Sequence, residues 1–333
     1  CLMEGIAYEA ISLAGHLKLN NLILLFDDNR ISIDGSIDLT FSEDMKLRFE
    51  AMNWNTIVVE NASEDLVAIE QAILLSQESN KPTIIFFKTI IGYGSVNQNT
   101  NKVHGNPLKI EDLNKLKKDL GFTPDLYFEI DYEVKKYFNQ IRNQKSYPEW
   151  YLLLNQYKID YPDDYLFLSQ IMHNKYNCNN LIKLPLNMEI PIKISTRQLS
   201  GKYLNIVNQQ LDNILIGSAD LGSSTCTIVD KYFNSNDYQG KYLAYGIREH
   251  AMAAIANGIS TSNLIPIVST FLVFSSYCLP ALRLSAISNH KVIYVFTHDS
   301  ISLGEDGITH QPIEQLFILR SMPNLLVFRP ADY

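Results

Sequence analysis

The amino-acid sequence predicts an α/β protein with two tandem domains, each built on a mostly parallel sheet that is flanked by helices. Short apolar runs with little polar alternation recur along the 333 residues, as in strands that a parallel sheet buries on both faces. Segments with helical spacing of apolar residues separate these runs. A Tyr-rich and Asn-rich stretch without clear periodicity, from about residue 122 to 190, divides the alternation into two parts.

The first alternation begins with a predicted helix at residues 4–18, where apolar residues recur at helical spacing and Glu4 lies in the first turn. Strands are predicted in "NLILLF", "TIVVE" and "TIIFFKTII", with a helix in "EDLVAIEQAILLSQ". We assign residues 1–150 to the first domain, 151–190 to a linker that contains helices, and 191–333 to the second domain.

The polar clusters of the chain share one position, directly after a predicted apolar strand. These clusters are "DDNRISIDG", "GYGSVNQNTNKVHG", "GSADLGSS", "THDSISLGEDGITH" and, after the predicted strand in "NLLVF", "RPADY". Open parallel sheets bind their ligands at the carboxyl ends of their strands. The clusters therefore predict a common site rather than scattered surface polarity.

Composition and charge exclude several classes of function. The formal net charge is −8 and no block of Lys and Arg occurs, so neither nucleic acid nor an anionic membrane has an evident electrostatic partner. The longest apolar stretch, "LIPIVSTFLVF", is about half of the roughly 20 residues that a membrane helix needs. The charge instead favours small metabolites as partners. The four cysteines form no CxxC pair, which favours reduced thiols and a cytoplasmic protein.

The first cluster offers hard oxygen donors. Asn29 carries an amide oxygen, Ile31 a backbone carbonyl two residues later, and Asp27 and Asp28 carboxylates. Such donors suit Mg²⁺ or Ca²⁺. A capped turn is an equally good interpretation of these residues alone, because Asp, Asn and Gly build turns for local backbone reasons.

Three further patterns lie in the second domain. Glu249 falls at the predicted start of an Ala-rich helix, where the helix dipole favours a carboxylate with or without a function. Phe271, Phe274 and Tyr277 recur every three residues, a spacing that is usual in a core and that also suits a pocket for a flat heterocycle. The loop after "VFT" contains two histidines with intervening acids, a combination suited to polar substrates or proton transfer.

Six motifs, in order and spacing, resemble the transketolase family: "CLMEGIAYEAISLAGHLKLNNLI…DDNRISIDG", "KTIIGYGS…VHGNPL", "GSADL", "YGIREHAMAAIANGIS", "STFLVFSSY" and "THDSISLGEDGITHQPIEQL". The resemblance implies two thiamine-diphosphate-binding domains, one for the diphosphate and one for the aminopyrimidine ring. It also implies thiamine diphosphate with Mg²⁺ or Ca²⁺ as cofactors, and a homodimer whose site lies at the interface.

The resemblance implies a role for each matched residue. Catalytic roles fall on Glu249, His104 and His310. Cofactor-binding roles fall on Glu4, Asn29, Ile33, His104, Glu249, Phe271, Phe274 and Tyr277. Substrate-binding roles fall on His104, Arg197, Ser224, His298, Asp306 and His310. Asn29 and the carbonyl of Ile31 match the cation ligands.

The implied reaction is reversible transfer of a two-carbon ketol unit between sugar phosphates of the xylulose 5-phosphate, ribose 5-phosphate and erythrose 4-phosphate class, as in the pentose phosphate pathway. The alternatives are a related enzyme such as dihydroxyacetone synthase, or a homologue that binds the cofactor without catalysis. Glu249 and "GEDG.TH" argue against the second alternative, because a binding relic has no use for proton-transfer groups.

Departures from the family pattern concern the ends and two internal motifs. The family has a Gly-Asp-Gly with a cation-binding Asp before the position of Cys1, and further segments after "RPADY". We therefore expect a partial chain that is inactive alone, lacking the start of the first domain, the end of the second and the C-terminal domain. Ser223 and Thr225 stand where the family usually has Pro and Asn, and Ile308 where it usually has Pro.

Overall fold

The computed structural model describes residues 2–144, 146–173, 193–229 and 231–331. These residues form two compact units. The first unit contains Leu2 and residues 14–160, and the second contains residues 3–13 and the chain from residue 161 onward. The boundaries predicted at residues 150 and 190 stay predictions, and part of the predicted linker lies outside the described residues.

The first unit is built around a parallel sheet of three strands in the order β1-β5-β4. Its strands are β1 (Ile23–Asp28), β4 (Asn55–Val59) and β5 (Thr83–Lys88), and β2 (Ile31–Ser32) pairs separately with β3 (Gly35–Ser36) in antiparallel fashion. Its helices are the end of α1 (Gly5–His16), α2 (Met45–Ala51), α3 (Leu66–Gln77), α4 (Ile110–Asp119), α5 (Tyr132–Gln144) and α6 (Ser146–Asp160).

Local sequence explains where these helices begin and what they bury. The carboxylate of Asp44 accepts a hydrogen bond from the amide of Leu47 and starts α2, and Asp65 does the same for α3 through Ala68. Phe49 of α2 is fully buried and packs edge-on against Trp54 and Phe86, with ring centroids 5.2 and 6.0 Å away. This aromatic cluster fixes α2 against β5.

The second unit contains a parallel sheet of four strands in the order β7-β6-β8-β9. The strands are β6 (Ile214–Ser218), β7 (Tyr242–Ala244), β8 (Ile265–Phe271) and β9 (Ile293–Thr297). The helices are α7 (Pro162–His173), α8 (Thr196–Gln210), α9 (Gly222–Thr225), α10 (Glu249–Ser260), α11 (Leu279–Ile287) and α12 (Gln315–Ser321), and a 3₁₀ helix spans Leu272–Cys278.

The predicted alternation of parallel strands and helices is confirmed in both units, with two corrections. Burial on both faces is wrong for β1, which is an edge strand of the described sheet and leaves Leu25 54% exposed. The strand predicted in "NLLVFRPAD" is also wrong. Leu325 and Val327 pack on the core while Leu326 and Phe328 face solvent, yet the described segment forms no ladder with a neighbouring strand.

No helix in the described part of the chain has the length and apolar character needed to cross a membrane.

Candidate functional site

The carboxyl ends of the second unit's four parallel strands carry its predicted site residues. α9 follows β6, α10 follows β7, the 3₁₀ helix follows β8, and the histidine-containing loop follows β9. Parallel strands point the same way, so all four segments start from one edge of the sheet.

An aromatic wall lies at the end of β8. Phe271, its last residue, stacks on Phe274 with ring centroids 5.9 Å apart and planes 7° apart. Tyr277 continues the wall, 6.0 Å from Phe274. Exposure rises along it, from Phe271 at 6% to Tyr277 at 65%. The inner ring is thus part of the core, whereas the outer ring is free to contact a ligand.

Two histidines complete the aromatic wall. The ring of His298 lies 3.8 Å from that of Phe271, and the ring of His310 meets Phe274 edge-on at 5.2 Å. Arg197, on α8, reaches His298 with Nη1 3.0 Å from Nε2. The structure therefore brings together six residues that sequence analysis assigned to cofactor or substrate: Phe271, Phe274, Tyr277, His298, His310 and Arg197.

The partners of His298 fix its tautomer. A guanidinium only donates hydrogen bonds, so Nε2 must accept from Arg197. Nδ1 then carries the proton and donates to the hydroxyl of Thr297 at 2.9 Å. Burial, followed by the charge of Arg197, lowers the pKa of His298, against the opposing effects of Asp306 and Asp299. The lowered pKa favours the neutral imidazole. The backbone of His298 is in the left-handed region, with φ 55°.

We expect the imidazole of His298 to titrate below the ordinary histidine value of about 6.5. In the complete protein, NMR of ¹³C-labelled histidine, assigned with His298→Gln, measures this midpoint. Arg197→Leu should raise the pKa of His298 because it removes a neighbouring positive charge. Arg320→Leu, at an exposed arginine of α12, should leave it unchanged. A midpoint at or above 6.5 in the unsubstituted protein would contradict this account.

Glu249 begins α10, as the sequence predicts. Its carboxyl is half-buried, and burial raises its pKa, with further upward effects from the charges of Glu9 and Asp220. Glu9 lies close because its Oε2 accepts a hydrogen bond from the amide of Ala251, in the first turn of α10, at 3.0 Å. The site thus holds a carboxyl that keeps its proton to higher pH than a free glutamate does.

Cys278 is not a candidate nucleophile. Burial, and then the charge of Glu249, raise the pKa of its thiol to about 12. The thiol is fully buried and donates to the carbonyl of Ser275. A neutral, inaccessible thiol cannot act as a thiolate.

In the first unit, the segment after β1 presents neutral oxygen donors. The side-chain Oδ1 of Asn29 accepts a hydrogen bond from the backbone amide of Ile31 at 3.0 Å, which holds these two residues together in one turn. Asp28 pairs with Lys88, whereas Asp27 bonds the hydroxyl of Thr89 through Oδ1 and accepts from Nδ2 of Asn29 at 3.4 Å through Oδ2.

These donors fit part of a divalent-cation site. An amide oxygen and a carbonyl oxygen are the hard ligands that Mg²⁺ and Ca²⁺ take. Among the described residues, no group of three or more His, Cys, Asp or Glu side chains could hold a metal ion. Asn29 and Ile31 therefore suit a cation whose charge is balanced by another group, such as a diphosphate.

The other two predicted residues of the first unit are joined through Asn101. Its Nδ2 donates to the carbonyl of Ile33 at 3.0 Å. Asn101 also begins the short 3₁₀ helix Asn101–Val103, and His104 is the residue that caps the end of this helix. The Nδ1 of His104 is buried without a hydrogen-bond partner among the described residues. A buried imidazole nitrogen without a partner is costly unless a ligand or water satisfies it.

Three predicted residues lie apart from the contacts described for the aromatic wall. Glu4 is exposed just before α1, Ser224 is half-buried on α9, and Asp306 is exposed in the loop after β9. Asp306 acts on His298 through its charge alone.

Sequence analysis missed several residues that shape the site. Glu9 and Thr297 bond Ala251 and His298 directly, and Arg329 holds Asp299, next to His298, with Nε 2.6 Å from Oδ2. Glu9 could have been found in the sequence, because it is an isolated acid on a helix of small and apolar residues. The pairing of Arg329 with Asp299 could not, because no local sequence pattern predicts it.

Residues 1–176 match the family model "Transketolase, thiamine diphosphate binding domain", and residues 192–333 match "Transketolase, pyrimidine binding domain". Transketolase 1 of Saccharomyces cerevisiae is 44% identical over 345 residues, which cover 100% of this chain and 51% of the relative.

Solved structures give the same result. A transketolase from Leishmania mexicana superposes with a TM-score of 0.93 at 40% identity, covering 100% of this chain and 50% of that one. A Pichia stipitis transketolase in complex with sedoheptulose-7-phosphate superposes with a TM-score of 0.91 at 42% identity, covering 97% of this chain and 50% of that one. The chain spans about half the length of these relatives. With both family models matched in tandem, the chain belongs to the transketolase family.

Proposed function

We propose that the complete protein is a transketolase, which moves a two-carbon ketol unit from a ketose phosphate to an aldose phosphate. This proposal rests mainly on the half-buried carboxyl of Glu249. It has a raised pKa and begins α10 in the unit whose 3₁₀ helix bears Phe274 and Tyr277. A proton-holding carboxyl near stacked aromatic rings suits an aminopyrimidine, which needs both a flat pocket and a hydrogen bond to a ring nitrogen.

Thiamine diphosphate, when bound, supplies the electron sink for cleavage next to a carbonyl. Glu249 would hold a proton at a ring nitrogen of its aminopyrimidine, and Phe271, Phe274 and Tyr277 would pack against that ring. Asn29 and the Ile31 carbonyl would hold Mg²⁺ or Ca²⁺ against the diphosphate, near Ile33. Glu4 would belong to the network at the interface of a homodimer.

The substrate-facing residues divide by the part of the substrate that each would contact. The reaction breaks the bond between the second and third carbons of the ketose, so a hydroxyl proton leaves as the aldose forms and returns to the acceptor's carbonyl oxygen. His104 and His310 would carry such protons. His298 and Asp306 would bond sugar hydroxyls, while Arg197 and Ser224 would bind the phosphate end.

We also propose that this chemistry takes place in the cytoplasm, within the pentose phosphate pathway. The proposed substrates are the sugar phosphates xylulose 5-phosphate, ribose 5-phosphate and erythrose 4-phosphate.

Acceptor profiling of the complete protein tests this proposal. With thiamine diphosphate, Mg²⁺ and xylulose 5-phosphate present, we expect ribose 5-phosphate to be converted to a seven-carbon ketose phosphate. Formaldehyde should be a much poorer acceptor. Preference for formaldehyde would instead indicate a dihydroxyacetone synthase, and no transfer to either acceptor would refute the proposal.

Asn29→Ala should weaken Mg²⁺-dependent binding of thiamine diphosphate by at least about tenfold, a scale typical of damage to a metal site. The substitution removes one oxygen donor and the bond that orients Ile31. Calorimetric titration of the complete protein at several Mg²⁺ concentrations measures the effect. Asn29→Asp keeps an oxygen donor and should retain most of the affinity, so equal losses in the two variants would argue against cation ligation.

A further inference from the structure

Three hydroxyl groups form a closed, buried triangle beneath α9. Thr225 Oγ1 lies 2.9 Å from Thr227 Oγ1 and 3.0 Å from Ser269 Oγ, and the last two are 2.7 Å apart. Thr225 and Thr227 are 1% exposed and Ser269 is fully buried.

The triangle ties three segments together. Thr225 donates to the carbonyl of Leu221 at 2.9 Å, and Ser269, on β8, donates to the carbonyl of Gly217 on β6 at 3.3 Å. The three hydroxyl protons cannot fill all of these contacts at once: when Thr225 and Ser269 donate to the carbonyls, the proton of Thr227 fills one edge of the triangle. Loss of the Thr225 hydroxyl removes its contact with Ser269, which joins α9 to β8, so the triangle favours one position of α9 over the sheet.

Ser224 is the residue that this arrangement positions. It directly precedes Thr225 in α9, and the amide of Thr227 returns to bond the carbonyl of Gly222 at 3.0 Å. Both sides of Ser224 are therefore held, while Ser224 itself is half-buried at the strand-end edge of the sheet. Its backbone cannot shift unless the triangle shifts as well.

We propose that Thr225, Thr227 and Ser269 are positioning residues that set the Ser224 hydroxyl for the phosphate end of the ketose, and so determine preference for phosphorylated donors. This inference rests on the proposed function. A misplaced binding group costs affinity only for the substrate that uses it. Loss of the triangle therefore raises KM for a phosphorylated ketose and leaves the unphosphorylated ketose unaffected.

The test compares xylulose 5-phosphate with xylulose as donors for the complete protein. Thr225→Val keeps the shape and removes the hydroxyl, and we expect about a tenfold rise in KM for xylulose 5-phosphate, with kcat and the KM for xylulose unchanged. Thr225→Ser keeps the hydroxyl and restores KM. In a Ser224→Ala background, Thr225→Val should add no further effect.

Thr270→Val is the matched control. Thr270 follows Ser269 on β8 and is fully buried, and its hydroxyl has no hydrogen-bond partner among the described residues. This variant should change neither KM. Ser269→Ala removes a second corner, so a folding defect in one variant leaves the other to decide. Unchanged KM values, or equal rises for both donors, overturn the inference. So does failure of both corner variants to fold while Thr270→Val folds. An unsubstituted protein that uses neither donor refutes the proposed function instead.

Discussion

Replacing Glu249 by Gln is expected to lower kcat for ketol transfer by about 10²- to 10⁴-fold, the usual contribution of a positioned proton-transfer group. Gln keeps the size of the side chain and a hydrogen-bonding oxygen, but it cannot exchange a proton. Steady-state kinetics of the complete protein with saturating thiamine diphosphate measure the loss. A variant that keeps more than about a tenth of the activity would exclude this role for Glu249.

The same substitution should stabilise the fold at neutral and higher pH. Burial first, and then Glu9 and Asp220, raise the pKa of Glu249 above the free value. A carboxyl with a raised folded-state pKa stabilises the protein below its unfolded value of about 4.3 and loses that contribution as pH rises through the folded value. The ionised carboxylate therefore opposes folding at pH 8, and Gln removes it.

Melting temperatures across pH test this effect. We expect Glu249→Gln to melt higher than the unsubstituted protein at pH 8, with a difference that shrinks as the pH approaches about 4.3. Glu78→Gln, at an exposed carboxylate after α3, should give no such pattern. Lower stability of Glu249→Gln at pH 8 would mean that the carboxylate makes favourable contacts there.

Gly217→Ala should destabilise the second unit by ~3 kcal/mol or more, at the upper end of the cost of overpacking. Gly217 lies within β6, and a methyl group there would meet the carbonyl oxygen of Leu243 on β7 and lie 2.5 Å from Cε2 of Tyr245. Tyr245 is 1% exposed and cannot move aside without opening the core. Denaturant unfolding, with activity measured in parallel, detects the loss.

Gly258→Ala is the control for this prediction. Gly258 lies inside α10, is exposed, and has no atom near the position of an added methyl group. Alanine is favoured over glycine in a helix by about 1 kcal/mol, so this variant should be slightly more stable. If both glycine variants lost stability equally, close packing at Gly217 would not be the cause.

Local rules predicted the parts of the site that depend on local sequence. The helix dipole placed Glu249 at the start of α10, and three-residue spacing placed Phe271, Phe274 and Tyr277 on one wall. Both features lie within a few residues of the chain. The structure therefore agrees with the sequence where one turn of helix or one strand end decides the geometry.

Contacts between distant residues could not be predicted in this way. Glu9 reaches Ala251 across 242 positions, and Thr225 meets Ser269 across 44. The segment "NLLVFRPAD" shows the opposite failure, because its apolar alternation is that of a strand and no described neighbour pairs with it. Alternation describes which side chains are buried, but a ladder also requires a partner backbone.

We propose that Glu249 controls proton loss from bound thiamine diphosphate. The most direct test is the rate of deuterium exchange at the thiazolium carbon, measured by NMR after rapid quenching, for the complete protein and Glu249→Gln under saturating cofactor. We expect exchange in the variant to slow by about 10²-fold or more, in step with the loss of ketol transfer. Equally fast exchange in both proteins would contradict the account.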